Sequence, residues 1–99
     1  MTADPVISVL EAELQTGELL VDTLERQRDA LVRRDLERIN RLTDALEGQM
    51  EHFGALVDAR NRAIGDAGSV GDRCAELLEH TRRVEGRVLR LAQINQELI

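Results

Sequence analysis

Lysine, tryptophan and tyrosine are absent from the 99 residues, and phenylalanine, cysteine and proline occur once each, as Phe53, Cys74 and Pro5. With one aromatic side chain there is no platform on which bases could stack, and a net charge of -6 repels a phosphate backbone, so nucleic acid is not an expected partner. A lone cysteine forms no internal disulfide and supplies no cysteine metal cluster, so nothing points to an oxidising compartment. No apolar run approaches the roughly 18 residues of a membrane span, and Asp4 stands where a signal peptide would carry basic residues. The expected location is the cytoplasm, without membrane insertion. The length matches one domain, since roughly 100 to 150 residues is the usual single-domain size. Any core must be built of Leu, Val, Ile, Ala and Met.

What is present is helical periodicity. Pro5 beside Asp4 suits a first helical turn preceded by an N-cap. From Ile7 the positions Leu10, Leu14, Gly17, Val21, Leu24, Arg28 and Leu31 follow at alternating steps of three and four, which is one helix face. Arg33 and Arg34 favour a helix C-terminus, and Asp35 can cap a new start with Glu37 in its first turn. A second stripe reads Leu36, Ile39, Thr43, Leu46, Met50, Phe53, Val57, Arg60 and Ile64, and a third reads Val70, Cys74, Leu77, Thr81, Val84, Val88, Leu91, Asn95 and Leu98. Between them Gly65, Gly68 and Gly71 mark a break, and Ser69 followed by Asp72 resembles a capping box. No segment alternates with the period of a strand. The prediction is an all-α, antiparallel up-down-up bundle, elongated and coiled-coil-like. It has one domain over residues 1–99, with helices at about 5–32, 36–64 and 70–99, each about 42 Å long at roughly 1.5 Å per residue.

Counting along these helices puts Phe53, Gly17 and Thr81 in one layer, a large side chain facing two small ones. Interior glycines Gly17, Gly48, Gly54 and Gly86 each cost about 1 kcal/mol relative to alanine, so the bundle should be soft and adaptable.

Catalytic chemistry finds little to work with. Glu76 and His80 have helical spacing, but the paired Glu-x-x-His motifs of a carboxylate-bridged metal centre are absent: Gln49 and Leu77 hold the positions three before His52 and His80. Cys74 lies on an apolar stripe and reads as core filler. The Gly65 to Gly71 segment lacks the lysine and the strand of a phosphate-binding loop. No cofactor, no metal and no enzymatic activity are expected. Charge is unevenly spread: residues 1–24, 44–64 and 65–79 sum to -5, -2 and -3, and together form one end of an up-down-up bundle. Residues 25–34, 35–43 and 80–99 sum to +2, 0 and +2 at the other. Such a field can orient a charged partner; solvated helix faces screened by salt are the other reading of the same charges. Arg82, Arg83, Arg87 and Arg90 beside Val84, Val88 and Leu91 make a basic amphipathic pattern, suited to rimming a groove for a partner helix.

Three segments together resemble the flagellar export chaperones of the FlgN type: the Leu/Glu-rich opening from Val9 to Leu24; Leu31-Val-Arg-Arg-Asp35-Leu36 leading to Leu42 and, later, Arg60; and Leu91-Ala-Gln-Ile-Asn95-Gln-Glu-Leu98-Ile99. The last is similar to the family's Asn-x-x-Asn-x-x-Leu-Ile ending, with Ala92 at the first Asn. The resemblance implies binding without catalysis. The chaperone would cover the C-terminal amphipathic helix of flagellar hook-associated proteins and deliver them to the type III export apparatus. Family members commonly continue with a segment that helps dock at the export gate, which makes a gate component a second implied partner; the sequence stops at Ile99. The implied groove is assigned to Val84, Val88, Leu91, Asn95, Leu98 and Ile99, with Arg87 and Arg90 at its rim, although internal core is an equal reading of the same residues. Asn95 in an apolar stripe reads as a register-setting group or a donor to a partner backbone. The alternative is a self-associating bundle or coiled-coil scaffold, which predicts a homo-oligomer.

Overall fold

A computed structural model describes residues 4–68 and 70–99. It holds α1 (Pro5–Arg33), α2 (Leu36–Ala67) and α3 (Asp72–Leu98), and no strand among the described residues. Asp4 caps α1 by accepting from the Val6 N–H at 2.9 Å, with Pro5 in the first turn. Arg34 ends α1 in the left-handed region at φ 55°, so that its N–H and that of Asp35 reach back to Leu31 O and Ala30 O. Asp35 then caps α2 through the Arg38 N–H at 3.2 Å. These two residues make the whole reversal.

The second connection differs from expectation. α2 runs three residues past Ile64, through Gly65, and ends at Gly68, whose φ of 74° suits glycine. α3 begins at Asp72 with Gly71 in the N-cap position and no side-chain cap; Val70 stands exposed ahead of it. The expected Ser69 contribution to a capping box lies outside the described residues.

Cross-helix contacts give the directions. Glu13 meets Arg60 and Gln27 meets Thr43, so α1 and α2 are antiparallel. Glu11 meets Arg73 and Glu25 meets Arg87, so α1 and α3 are parallel. The bundle measures 50 × 19 × 19 Å, and its 15.5 Å radius of gyration exceeds the roughly 13 Å of a compact chain of this size. α1 is the central element and packs along both of the others, whereas no described Cα of α2 comes within 8 Å of one in α3. The seam between α2 and α3 is therefore bridged by side chains, where it is bridged at all.

Four layers fill the interior. Val6, Leu10 and Cys74 pack with Ile7, Ala63, Ile64, Leu77 and Leu78 at the start of α1. Next comes an ionic layer of Glu13, Arg60 and Glu85. The main core follows, with Leu20, Val21, Leu24, Leu46, Phe53, Val84 and Val88. Beyond it the buried amides of Gln27 and Asn95 meet, and Gln27 reaches out to the exposed Thr43 hydroxyl. Phe53 does face Gly17, as the layer count predicted: a methyl at Gly17 would sit 3.1 Å from Phe53 Cε1. The α3 neighbour there is Val84, at 2.7 Å, while Thr81 is buried and turns its hydroxyl to Leu77 O.

Candidate interaction groove

The apolar stripes of α2 and α3 outrun the core. On α2, Leu46 and Phe53 are buried, but Leu36 is 74% exposed and Met50 is 38% exposed. On α3, Val84 and Val88 are buried, yet Leu98 and Ile99 are 45% and 85% exposed. Because α1 stops at Arg33 and the α2–α3 backbones stay apart, the described chain covers these residues only in part. They open two adjoining clefts. One, of about 470 Å³, is lined by Leu24, Gln27, Leu46, Met50, Ala92, Asn95, Gln96 and Ile99. The other, of about 600 Å³, is lined by Leu31, Arg34, Leu36, Ile39, Leu98 and Ile99. Ile99 lines both, so they adjoin there and together make up a trough toward the end of the bundle that carries the α1–α2 turn.

The residues expected to line a groove are divided by the structure. Val84 and Val88 face α1 within the core, and Leu91 packs half-buried against that core. Arg87 lies exposed in an ion pair with Glu25 of α1 at 3.0 Å. Arg90 is exposed and makes no ion pair among the described residues. Asn95 is buried: its Nδ2 donates to Leu24 O at 2.8 Å and to Gln27 Oε1 at 2.9 Å, so its donors are used inside the chain rather than offered to a partner backbone. Leu98 and Ile99 line the trough. The other walls, Leu46, Met50, Leu36 and Ile39, come from α2; the second stripe contained them, but they read there as core.

The ionic layer was also missed. Arg60 Nη1 donates to both Glu13 carboxylate oxygens, at 2.9 and 3.1 Å, and to Glu85 Oε2 at 3.3 Å. One guanidinium thus joins all three helices, and its Nε and Nη2 reach Asn61 Oδ1. Glu13 is wholly buried. Burial pushes its carboxyl above the ordinary value of 4.5, Arg60 pulls it down, and nearby Glu85 adds to the rise. The signal lay in the phase: 10, 13, 17, 20, 24 and 27 step by three and four as well as the apolar set does, and this is the face that α1 buries. Arg28, assigned to the buried stripe, is exposed, and Gln27 takes its place.

The remaining reactive groups do not converge. Cys74 is buried in the apolar cluster with its thiol 3.8 Å from Asp4 Oδ2, and burial raises its pKa. Glu76 and His80 are exposed on α3, and no group of three metal-ligating side chains occurs among the described residues. No described helix is long and apolar enough to cross a membrane.

No curated protein and no solved structure matches the chain. A family model does, the one described as FlgN protein, and its match extends over residues 1–99. Its span takes in all three helices together with the trough they leave open. The chain belongs to the FlgN family of flagellar export chaperones.

Proposed function

We propose that the protein holds the C-terminal amphipathic helix of a flagellar hook-associated protein in the trough between α2 and α3, and carries that client through the cytoplasm to the type III export apparatus. Chaperones of this family bind hook-associated proteins generally. What supports the trough as the binding place is one observation: Leu36, Met50, Leu98 and Ile99 are left exposed, wholly or in part, along two adjoining clefts. An amphipathic helix that packs only after assembly must shield its apolar face until then. Laying that face on these residues removes apolar surface from water at about 25 cal/mol per Å². The part proposed is one of binding, resting on the shape of the trough and the apolar area it exposes. Docking at the export gate is a further proposed step, suited to a chain whose other end is rich in carboxylates.

Calorimetric titration with synthetic peptides of these client helices tests the reading. Ile99→Asp and Met50→Asp place a charge in the trough at exposed positions, so each should weaken binding at least tenfold while the helical signal stays intact. Unchanged affinity in both variants would place the client elsewhere. The same uncovered residues suit a second copy of the chain, and sedimentation separates the two: the chaperone reading expects a monomer that associates only with the client peptide.

A further inference from the structure

The floor of the trough is crossed by a run of side-chain hydrogen bonds whose direction is fixed at both ends. Thr43 Oγ1 donates to Ile39 O at 2.7 Å and accepts from Gln27 Nε2 at 3.2 Å. Gln27 Oε1 accepts from Asn95 Nδ2, which also donates to Leu24 O. A backbone carbonyl only accepts, so neither amide can be turned over without setting two acceptors against each other. Both Nδ2 hydrogens of Asn95 are thus committed. Its Oδ1 is left buried without a donor, on a residue 2% exposed that lines the 470 Å³ cleft. The adjoining side chain with an amide of its own, Gln96, makes no bond to it among the described residues; successive helix positions point apart.

We infer that Asn95 Oδ1 is a specificity-determining acceptor, and that the helix seated in this cleft carries one uncharged hydrogen-bond donor, a Ser or Thr hydroxyl or an Asn or Gln amide, within its apolar face. This rests on the client-binding reading above. The free chain already holds this carbonyl oxygen buried and bare, so a helix that brings such a donor gains a bond that a helix without one does not, and the difference discriminates between them. The donor is uncharged because no acidic side chain lines the cleft to compensate a buried ammonium or guanidinium. Of the side chains that share this cleft with Asn95, Met50 and Ile99 are already 38% and 85% exposed.

The test uses the full chain, labelled with carbon-13, and synthetic client-helix peptides in which each Ser, Thr, Asn or Gln of the apolar face is replaced in turn by its apolar counterpart. One replacement should weaken binding about tenfold to wild type and leave binding to Asn95→Leu unchanged. Should Asn95→Leu fail to fold, wild type alone decides. The Asn95 Cγ resonance should move downfield with the parent peptide and stay in place with the peptide lacking that donor. Peptides that bind the trough with no replacement altering affinity more than twofold, and a still Cγ resonance, would overturn this inference while leaving the groove standing. Peptides that do not bind, or a Cγ resonance that responds to protein concentration alone, would remove both.

Discussion

Replacing Gly17 with alanine sets two effects against each other, and the structure decides between them. In a helix interior alanine is favoured over glycine by about 1 kcal/mol. The added methyl, however, would stand 2.7 Å from Val84 Cγ1 and 3.1 Å from Phe53 Cε1. Neither neighbour is the loose end of a long side chain. Val84 is β-branched and stiff about χ1, and both it and Phe53 are buried in the main core. Overpacking of this kind costs about 1 to 3 kcal/mol, so the net effect is a loss of about 1 kcal/mol. Gly48 and Gly86 are the internal controls, since a methyl at either meets nothing within 4 Å. Alanine there should stabilise by about 1 kcal/mol each. In a domain of this length 1 kcal/mol moves the midpoint by about 4 to 8 °C, so the Gly17→Ala and Gly86→Ala proteins should melt about 10 °C apart, on opposite sides of wild type. Thermal and urea unfolding followed by circular dichroism measure this. A Gly17→Ala protein stabilised as much as Gly86→Ala would refute the close packing of α1 against Phe53 and Val84.

Glu13→Gln should reverse the usual acid behaviour of a carboxylate. The folded-state pKa is raised above 4.5, so the group's contribution is most favourable below the unfolded value and is lost as pH rises through the folded one. The stability of wild type minus that of Glu13→Gln should therefore fall as pH increases from 4.5 upward in urea titrations; a rising difference would mean that the Arg60 charge outweighs burial. Arg34→Gly removes a side chain from a φ of 55° and should raise stability by about 0.5 to 1 kcal/mol in the same assay. Val88→Asp puts a charge at a position 1% exposed and should abolish cooperative unfolding, whereas Leu89→Asp, 62% exposed, should leave the melt within about 0.5 kcal/mol of wild type.

Much of the fold was legible because it follows from short-range rules. Asp4-Pro5, Arg34-Asp35 and the Gly65 to Gly71 cluster announce helix ends through capping and backbone freedom, and leucine spacing announces the helices between. The phase of α1 was not legible in the same way. Two sets of positions, one through Leu14 and Arg28 and one through Glu13 and Gln27, step equally well and share Leu10, Gly17 and Leu24; hydrophobicity picks out Leu14, which is half-buried against the core, and gives no sign of the buried Glu13 and Gln27. Glu13 becomes the buried choice only because Arg60 and Glu85 arrive from the other two helices, a pairing with no local trace. The trough was half legible. Of the residues assigned to a groove on the strength of the resemblance, Leu98 and Ile99 lie along it, while Val84 and Val88 are core. Its α2 wall was not found, because Leu36 and Met50 carry the same spacing as the buried Leu46 and Phe53. What separates them is the distance between α2 and α3, which periodicity does not encode.

The central claim is that the open α2–α3 seam seats the client helix, and photo-crosslinking tests it most directly. A client-helix peptide carrying benzophenone on its apolar face would be irradiated with the full chain and the adducts located by mass spectrometry. The account predicts adducts on Met50, Ile99 and the Leu36 to Ile39 turn, which line the trough. Adducts confined to the separate cleft of Gln15, Leu19, Gln49 and His52 between α1 and α2 would contradict it.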